Sequence, residues 1–196
     1  MINTYDELKF YIQQDNIANG RNKLAKPRWY SNSSKNLIHK FLILLRKVEY
    51  YEKKKSLIKI LYFNILKYKF NRLSVKLGFF IMPNVFGHGL AIAHSGPIIV
   101  NDLAKIGKNC RIYVGVNIGV NESINSKGGI DGDIPKLGDN IYIGPGAKIF
   151  GKIIIANNIA IGANAVVTKS FLEENITIAG VPAKKISNKG TIKLDK

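Results

Sequence analysis

The 196-residue sequence predicts a mainly β protein: a parallel solenoid of six-residue repeats, preceded by an α-helical region. Aliphatic residues recur at every sixth position in two runs: Val100, Ile106, Ile112 and Ile118, then Leu137, Ile143, Ile149, Ile155, Ile161 and Val167. The residue four places after each is mostly small or aliphatic, from Ala104 to Ala165. This period fits neither a helix nor an alternating strand, and it is typical of a triangular coil with one face per repeat. Unrelated valine- and isoleucine-rich strands would not keep one phase over this length.

The N-terminal part of the chain predicts helices. Residues 4–18 have the pattern of a short helix with Thr4 as its N-cap. From Ser34 to Lys76, apolar residues recur every three or four positions, which predicts two amphipathic helices with a break near residues 53–56. Gly78 then ends the helical pattern. We therefore expect a basic α-helical N-terminal region over residues 1–80.

The solenoid is expected to occupy residues 81–186, followed by a flexible polar tail over 187–196. Glycine follows the aliphatic residue at 138, 144 and 162, where we expect corners with positive φ. The six-residue phase breaks between Ile118 and Leu137. The intervening segment 120–136, VNESINSKGGIDGDIPK, is polar and glycine-rich, so it is expected to leave the coil as a loop that could bind a ligand.

The chain is strongly basic, with 30 Lys and Arg against 13 Asp and Glu and a net charge of +17. Much of this charge lies between Arg21 and Lys76. Three interpretations stay open: a solvated basic surface, attraction to an anionic membrane beside Trp29 and several tyrosines, or nucleic-acid binding. No nucleic-acid motif is present, so we expect no nucleic-acid partner. A peripheral membrane contact is the more specific alternative.

The single cysteine, Cys110, falls on a small solenoid position and predicts a buried thiol rather than a nucleophile. With no signal peptide pattern, the lone thiol predicts a cytoplasmic protein, at the inner face of the membrane if the basic region contacts lipid. No apolar run reaches the length of about 18 residues needed to span a bilayer.

His94 is the first candidate for chemistry, because counting back six residues from Val100 arrives at it. An imidazole in a dry aliphatic column would be costly. Either the register shifts near Gly96 and Pro97, or the ring faces a polar groove. Both favour a functional histidine over one that only closes the first coil. His39 lies in the helical region and is interpreted as a surface or packing residue.

Three strings, GHGLAIAHSGPIIVN, PKLGDNIYIGPGAKIFG and TIAGVPAKKI, resemble the hexapeptide acyltransferases. The resemblance covers residues 35–188 and is strongest to the serine acetyltransferase-like branch and its capsular polysaccharide O-acetyltransferase relatives. It implies a left-handed parallel β-helix, a homotrimer, and transfer of an acetyl group from acetyl-CoA to a hydroxyl acceptor. It implies no metal.

The resemblance also assigns roles to residues. His94 would be the general base, since an imidazole with a pKa near 6.5 suits proton transfer at neutral pH. The chemistry itself, in which the thioester carbonyl gains negative charge, adds backbone N–H groups within 115–119 as donors that could stabilise the oxyanion. Acetyl-CoA would contact Asn121, Pro145, Ala163, Thr168, Lys169 and Lys184.

The sequence departs from serine acetyltransferases in two places. Ile134 stands where they carry a second histidine, and GFFIMPN (78–84) has no acid where they carry an aspartate. The main expectation is therefore O-acetylation of a surface polysaccharide, with His88, Asp131 and Asp133 contacting the glycan. The alternatives are a serine O-acetyltransferase of cysteine biosynthesis and a non-catalytic solenoid binding module.

Overall fold

The computed structural model describes residues 2–28, 30–124 and 130–191, with only the backbone of 121–124 and 130–133. Three helices come first: α1 (Tyr5–Ala18), α2 (Ser34–Tyr51) and α3 (Leu57–Leu77). As predicted, Thr4 caps α1: its hydroxyl accepts the Glu7 N–H at 3.1 Å, and the Glu7 carboxylate accepts the Thr4 N–H. Gly78 ends α3 in the left-handed conformation, with φ of 76°.

Sixteen strands follow in the described part of the chain. They are β1 (Phe79–Ile81), β2 (Ala91–Ile92), β3 (Ile98–Val100), β4 (Lys105–Ile106), β5 (Arg111–Ile112), β6 (Asn117–Gly119), β7 (Asn121–Ile124), β8 (Ile130–Asp133), β9 (Lys136–Leu137), β10 (Tyr142–Ile143), β11 (Lys148–Phe150), β12 (Ile154–Ile155), β13 (Ala160–Ile161), β14 (Val166–Val167), β15 (Thr177–Ala179) and β16 (Lys184–Ser187).

The strands form the three faces of a prism. Face 1 is β1-β3-β6-β11-β14, face 2 is β2-β5-β10-β13-β15 with β16 at its end, and face 3 is β4-β9-β12. The chain visits the faces in turn, and the pairing between coils is parallel except where β16 folds back on β15. Ile143 pairs with Ile161 eighteen residues later, which is one full coil. The aliphatic residues of the predicted phase are buried inside the prism.

The corner prediction is wrong in its details. Gly138, Gly144 and Gly162 do not have positive φ. Glycine is required at these positions because the backbone of the next coil leaves no room for a side chain. A Cβ on Gly144 would lie 2.8 Å from the backbone nitrogen of Ala163. The left-handed positions of the solenoid are instead shared between other glycines, such as Gly115 and Gly146, and asparagines, which tolerate that conformation. These asparagines include Asn109, Asn140, Asn158, Asn164 and Asn175.

The predicted excursion from the coil is confirmed, and it is a β-hairpin. Strands β7 and β8 pair antiparallel between faces 1 and 3. Ile118 pairs with Ile149, thirty-one residues later, so this coil holds thirteen residues more than the eighteen between Ile143 and Ile161. Strands β7 and β8, together with the five residues between them, account for that excess.

The helices pack against the start of the solenoid. Phe41 of α2 stacks on Phe70 of α3, with ring centroids 5.3 Å apart, and meets Phe79 of β1 edge-on at 5.1 Å. No helix among the described residues is both long and apolar enough to cross a bilayer. At the other end, Thr191 of the predicted tail donates its N–H to the Asn158 carbonyl. Residues 192–196 lie outside the described residues.

Candidate active site

His94 stands out of the aliphatic stack because the first coil is longer than the regular eighteen-residue coil between Ile143 and Ile161. Ile92 pairs with Ile112, twenty residues later, whereas Val100 pairs with Ile118, eighteen residues later. The segment between β2 and β3 therefore holds two extra residues. Ile92 fills the buried column, and His94 is exposed at the edge between faces 2 and 1. The predicted register shift is confirmed.

The corner segments of successive coils stack along this same edge. Gly115 N–H donates to the Pro97 carbonyl at 2.7 Å, and Gly146 N–H donates to the Val114 carbonyl at 2.9 Å. One coil further on, Asn164 N–H donates to the Pro145 carbonyl at 2.9 Å. We call this stack, residues 93–97, 113–116, 144–147 and 162–165, the catalytic edge. Pro145 and Ala163 are both exposed on it, one coil apart.

Tyr113 lies beside His94, and Tyr142 lies beside Tyr113. The Tyr113 ring centroid is 6.4 Å from that of His94, and the Tyr142 ring is 5.2 Å from Tyr113. Burial, together with the neighbouring Tyr113, raises the pKa of Tyr142. Ser95 accepts a hydrogen bond from Ser34 of α2 at 2.8 Å, so α2 reaches this edge. Among the side chains that the structure describes, no carboxylate bonds to the His94 ring.

The predicted oxyanion donors are wrong for two of the residues in 115–119. The Gly115 N–H is bonded to Pro97, and the Asn117 N–H donates to the Ala147 carbonyl at 3.0 Å. Both groups hold neighbouring coils together. Their positions in the stack leave them no free proton to offer a developing oxyanion.

Three of the other residues expected to meet acetyl-CoA, Thr168, Lys169 and Lys184, lie near the C-terminal end of the prism. Thr168 and Lys169 are exposed directly after β14, and the Lys169 ammonium is 5.5 Å from the Phe171 ring centroid. Lys184 is exposed at the start of β16. Asn121 belongs to the hairpin backbone, and its side chain is outside the described part. The same holds for Asp131 and Asp133, which belong to β8.

His88 is half-buried beneath helix α1. Its ring lies 4.9 Å from that of Phe10 and 5.5 Å from that of Tyr11, both edge-on. Burial lowers the pKa of His88. Its Nδ1 atom is buried without a hydrogen-bond partner among the described residues. The structure thus packs this candidate against α1, and the nearby carboxylates of Asp15 and Asp139 only partly oppose the effect of burial on its pKa.

Cys110 and His39 pack in the interior of the protein. Cys110 is buried, which raises the pKa of its thiol, as expected for a core cysteine. His39 is also buried, in agreement with a packing role. Within the described residues no three His, Cys, Asp or Glu side chains gather as a metal-binding group.

Sequence analysis missed the two residues that hold the first coil in place. Arg46 is fully buried and bonds Asp15, Glu49 and the carbonyls of Phe86 and Gly87. Its position inside the apolar stripe of α2, LLRKV, could have indicated a buried charge. Asn19 had no such signal. Its side-chain amide nitrogen donates to the Leu90 carbonyl at 2.9 Å, and its amide oxygen accepts the Ile92 N–H at 3.2 Å. Asn19 therefore supplies the hydrogen bonds that a neighbouring strand would otherwise give to the edge strand β2.

No protein-family model matches the chain. Among curated proteins, it is 33% identical over 104 residues to a serine acetyltransferase of Synechococcus elongatus, covering 53% of this chain and 40% of that one. It is 36% identical over 101 residues to a serine acetyltransferase of Helicobacter pylori, covering 52% and 56%. The chain thus spans about half the length of the curated relatives it matches.

Solved structures are similar over nearly the whole chain. Serine acetyltransferase from Brucella abortus has a TM-score of 0.64 at 26% identity and covers 95% of this chain and 72% of its own. The enzyme from Neisseria gonorrhoeae has a TM-score of 0.63 at 28% identity, covering 96% and 67%. This likeness confirms the predicted fold, a left-handed parallel β-helix with N-terminal helices.

Proposed function

We propose that the protein is an acetyl-CoA-dependent O-acetyltransferase with His94 as its general base. One observation carries this proposal. Two extra residues in the first coil lift His94 out of the aliphatic stack and onto the catalytic edge. A histidine that only closed the coil would have no need of that displacement, because Ile92 already fills the column.

The reaction uses His94 twice. The imidazole takes the proton of the acceptor hydroxyl as the new C–O bond to the acetyl carbon forms. It then gives this proton to the CoA sulfur as the C–S bond breaks, so that CoA leaves as a thiol. Exposure keeps the ring accessible to both substrates, and Tyr113 limits its movement on one side.

Acetyl-CoA is the donor that the catalytic edge suits. Pro145 and Ala163 carry short side chains, so an extended pantetheine arm can run against the backbone of two coils. Thr168, Lys169 and Lys184 lie at the end of the prism where they can face the phosphates. A serine acetyltransferase with 26% identity and a TM-score of 0.62 has been solved in complex with CoA. One subunit covers only one side of the pantetheine arm. We therefore propose a homotrimer in which a neighbouring subunit covers the other side, with the sites between subunits.

L-Serine is the acceptor that the comparisons favour. The curated relatives named above are serine acetyltransferases, and a Neisseria gonorrhoeae neighbour at 29% identity was solved with serine bound. On this support we rank serine ahead of the glycan that sequence analysis expected.

A sugar hydroxyl of a surface polysaccharide is the second candidate. It is favoured by the two departures from the family pattern, Ile134 and the acid-free segment 78–84, where β1 instead begins with Phe79 and Phe80. Without the histidine and the aspartate of the family pattern, the site has fewer polar groups to bind a small zwitterion such as serine. Asp131 and Asp133 would then contact the sugar.

The experiment follows CoA thiol release with acetyl-CoA alone, with serine, and with capsule-type oligosaccharides. His94→Ala should reduce turnover by about 10²–10⁴-fold and leave the circular dichroism spectrum and CoA binding unchanged. Light scattering should give three times 21.8 kDa. Turnover close to that of the parent in His94→Ala would remove His94 from the mechanism. No acceptor-dependent release at all would favour a binding module.

A further inference from the structure

Helix α3 is apolar on two opposite sides. One side, with Leu66, Phe70 and Leu77, is buried against the rest of the molecule. The other carries a stripe of large apolar side chains that are between 44% and 85% exposed. We call this the α3 stripe, and it consists of Leu57, Leu61, Ile65, Tyr68 and Val75. Its first steps are of four, four and three residues and its last, from Tyr68 to Val75, is of seven, so all five side chains lie along one helix face.

Cations accompany this exposed apolar surface. Helix α3 contains Lys59, Lys67, Lys69, Arg72 and Lys76 and no acidic residue. An exposed apolar surface of this extent on a helix usually marks an interaction site. An amphipathic helix with Lys and Arg around apolar and aromatic residues is the kind that lies in a lipid interface.

A groove between α2 and α3 continues the same face. Its volume is about 620 Å³. Its floor is apolar and includes Leu37, Ile43, Leu44 and Leu73, and its cations are Lys40, Lys69, Arg72 and Lys76. Tyr68 lines the groove and also belongs to the α3 stripe. The apolar floor can contact an acyl chain, and the cationic rim can contact a phosphate headgroup. The groove therefore suits an amphiphile that carries both.

The positive charge of the α3 stripe and the α2–α3 groove favours an anionic bilayer over a second copy of the chain as the binding partner. A second copy of the chain packed on this face would bring its own five α3 cations against these five, with no α3 carboxylate to pair with them. An anionic bilayer supplies both an apolar interior and the opposite charge. We propose that the α3 stripe and the α2–α3 groove dock the protein onto a membrane surface that contains anionic phospholipid. The stripe enters the headgroup–acyl boundary, and Lys69, Arg72 and Lys76 contact lipid phosphates. This proposal does not depend on acetyl transfer.

The test is sedimentation of the full chain with vesicles of phosphatidylglycerol or of phosphatidylcholine. We expect binding to phosphatidylglycerol only, weakening as salt shortens the Debye length to about 3 Å at 1 M. The double variant Lys69→Gln, Arg72→Gln should weaken partitioning roughly 30-fold, about fivefold for each cation lost. Leu61→Gln with Ile65→Gln should weaken it as well. Two matched controls on the solenoid, Leu172→Gln and Lys105→Gln with Lys136→Gln, should bind as the parent does.

Three results would overturn the proposal. Equal binding to both lipids would remove the role of the cations. Equal loss in the solenoid controls would show a non-specific charge effect. A smaller assembly mass in the Leu61→Gln, Ile65→Gln variant, with no vesicle binding by the parent, would assign the face to a second copy. Circular dichroism and CoA binding of each variant separate these outcomes from misfolding.

Discussion

Arg46 and Asp15 form a buried ion pair, with Arg46 Nε 2.8 Å from Asp15 Oδ2. The second oxygen of Asp15 accepts the N–H of Leu90 at 2.8 Å, directly before strand β2. Although burial opposes it, the carboxylates of Asp15 and Glu49 raise the pKa of Arg46. The pair therefore ties helices α1 and α2 to the coil that displays His94.

Removing the arginine should be strongly destabilising. Arg46→Ala leaves two buried carboxylates unpaired, which typically costs about 3–5 kcal/mol. Urea unfolding followed by circular dichroism measures the loss. Lys9→Ala is the control, because it breaks an exposed ion pair with Asp6 and should change little. A similar small effect from both variants would contradict the role given to Arg46.

The repeats could be predicted from the sequence because each six-residue step must bury one aliphatic side chain. The helix-to-solenoid joint could not be predicted in the same way. Arg46 bonds Asp15 across 31 residues, and the backbone groups of the first coil that Arg46, Asp15 and Asn19 bond lie 40 to 75 residues from them. No periodic pattern encodes such contacts.

The buried histidine of α2 predicts a pH dependence of stability. Burial, and then the charge of Arg21, lowers the pKa of His39 to about 4 from the ordinary imidazole pKa of about 6.5. Between these values the unfolded chain binds the proton and the native protein does not. Native stability is therefore full above the higher value and falls as the pH falls toward the lower one, by up to about 1.4 kcal/mol per pH unit.

Unfolding free energies measured from about pH 7 to about pH 4 check this dependence. His39→Leu should have a shallower loss of stability on acidification than the parent. Ile38→Val, a neighbouring buried change without a proton, should keep the parent's slope. Parallel curves for the parent and His39→Leu would show that His39 is not the group responsible.

At the asparagine positions with positive φ, an alanine variant should be less stable than a glycine variant, the reverse of the usual order. Asn140 has φ of 57°, accepts from the Asn109 amide at 3.0 Å, and donates to Asn158 at 2.8 Å. Asn140→Ala and Asn140→Gly both lose these side-chain bonds, but only alanine also strains the left-handed corner. The alanine variant should thus be the less stable by roughly 1 kcal/mol.

Asn157 provides the matched control for this comparison. It also bonds through its side chain, to the Asp139 N–H and to Glu174, but its φ is not positive. There Ala should be more stable than Gly, which is the usual order, because glycine loses more backbone entropy on folding. The same order at both positions, measured by thermal unfolding, would refute the strain argument.

The position of His94 shows how far the sequence predicts the site. The six-residue phase arrives at His94, which predicted either a register shift or a ring turned to a polar groove, and the structure shows the register shift as two extra residues. The oxyanion donors could not be chosen in this way, because every corner N–H looks alike in sequence. Only the hydrogen bonds of Gly115 and Asn117 show that those two are already used.

Filling the catalytic edge should impair donor binding without unfolding the protein. Ala163 is exposed one coil from Pro145, so Ala163→Trp adds a large side chain where we propose that the pantetheine arm lies. We expect KM for acetyl-CoA to rise by at least about tenfold, a loss of roughly 1.4 kcal/mol of binding, with the melting temperature nearly unchanged. Leu172→Trp, at a position 70% exposed on a different edge, should leave KM as in the parent. An unchanged KM in Ala163→Trp would place the acetyl-CoA arm elsewhere on the prism.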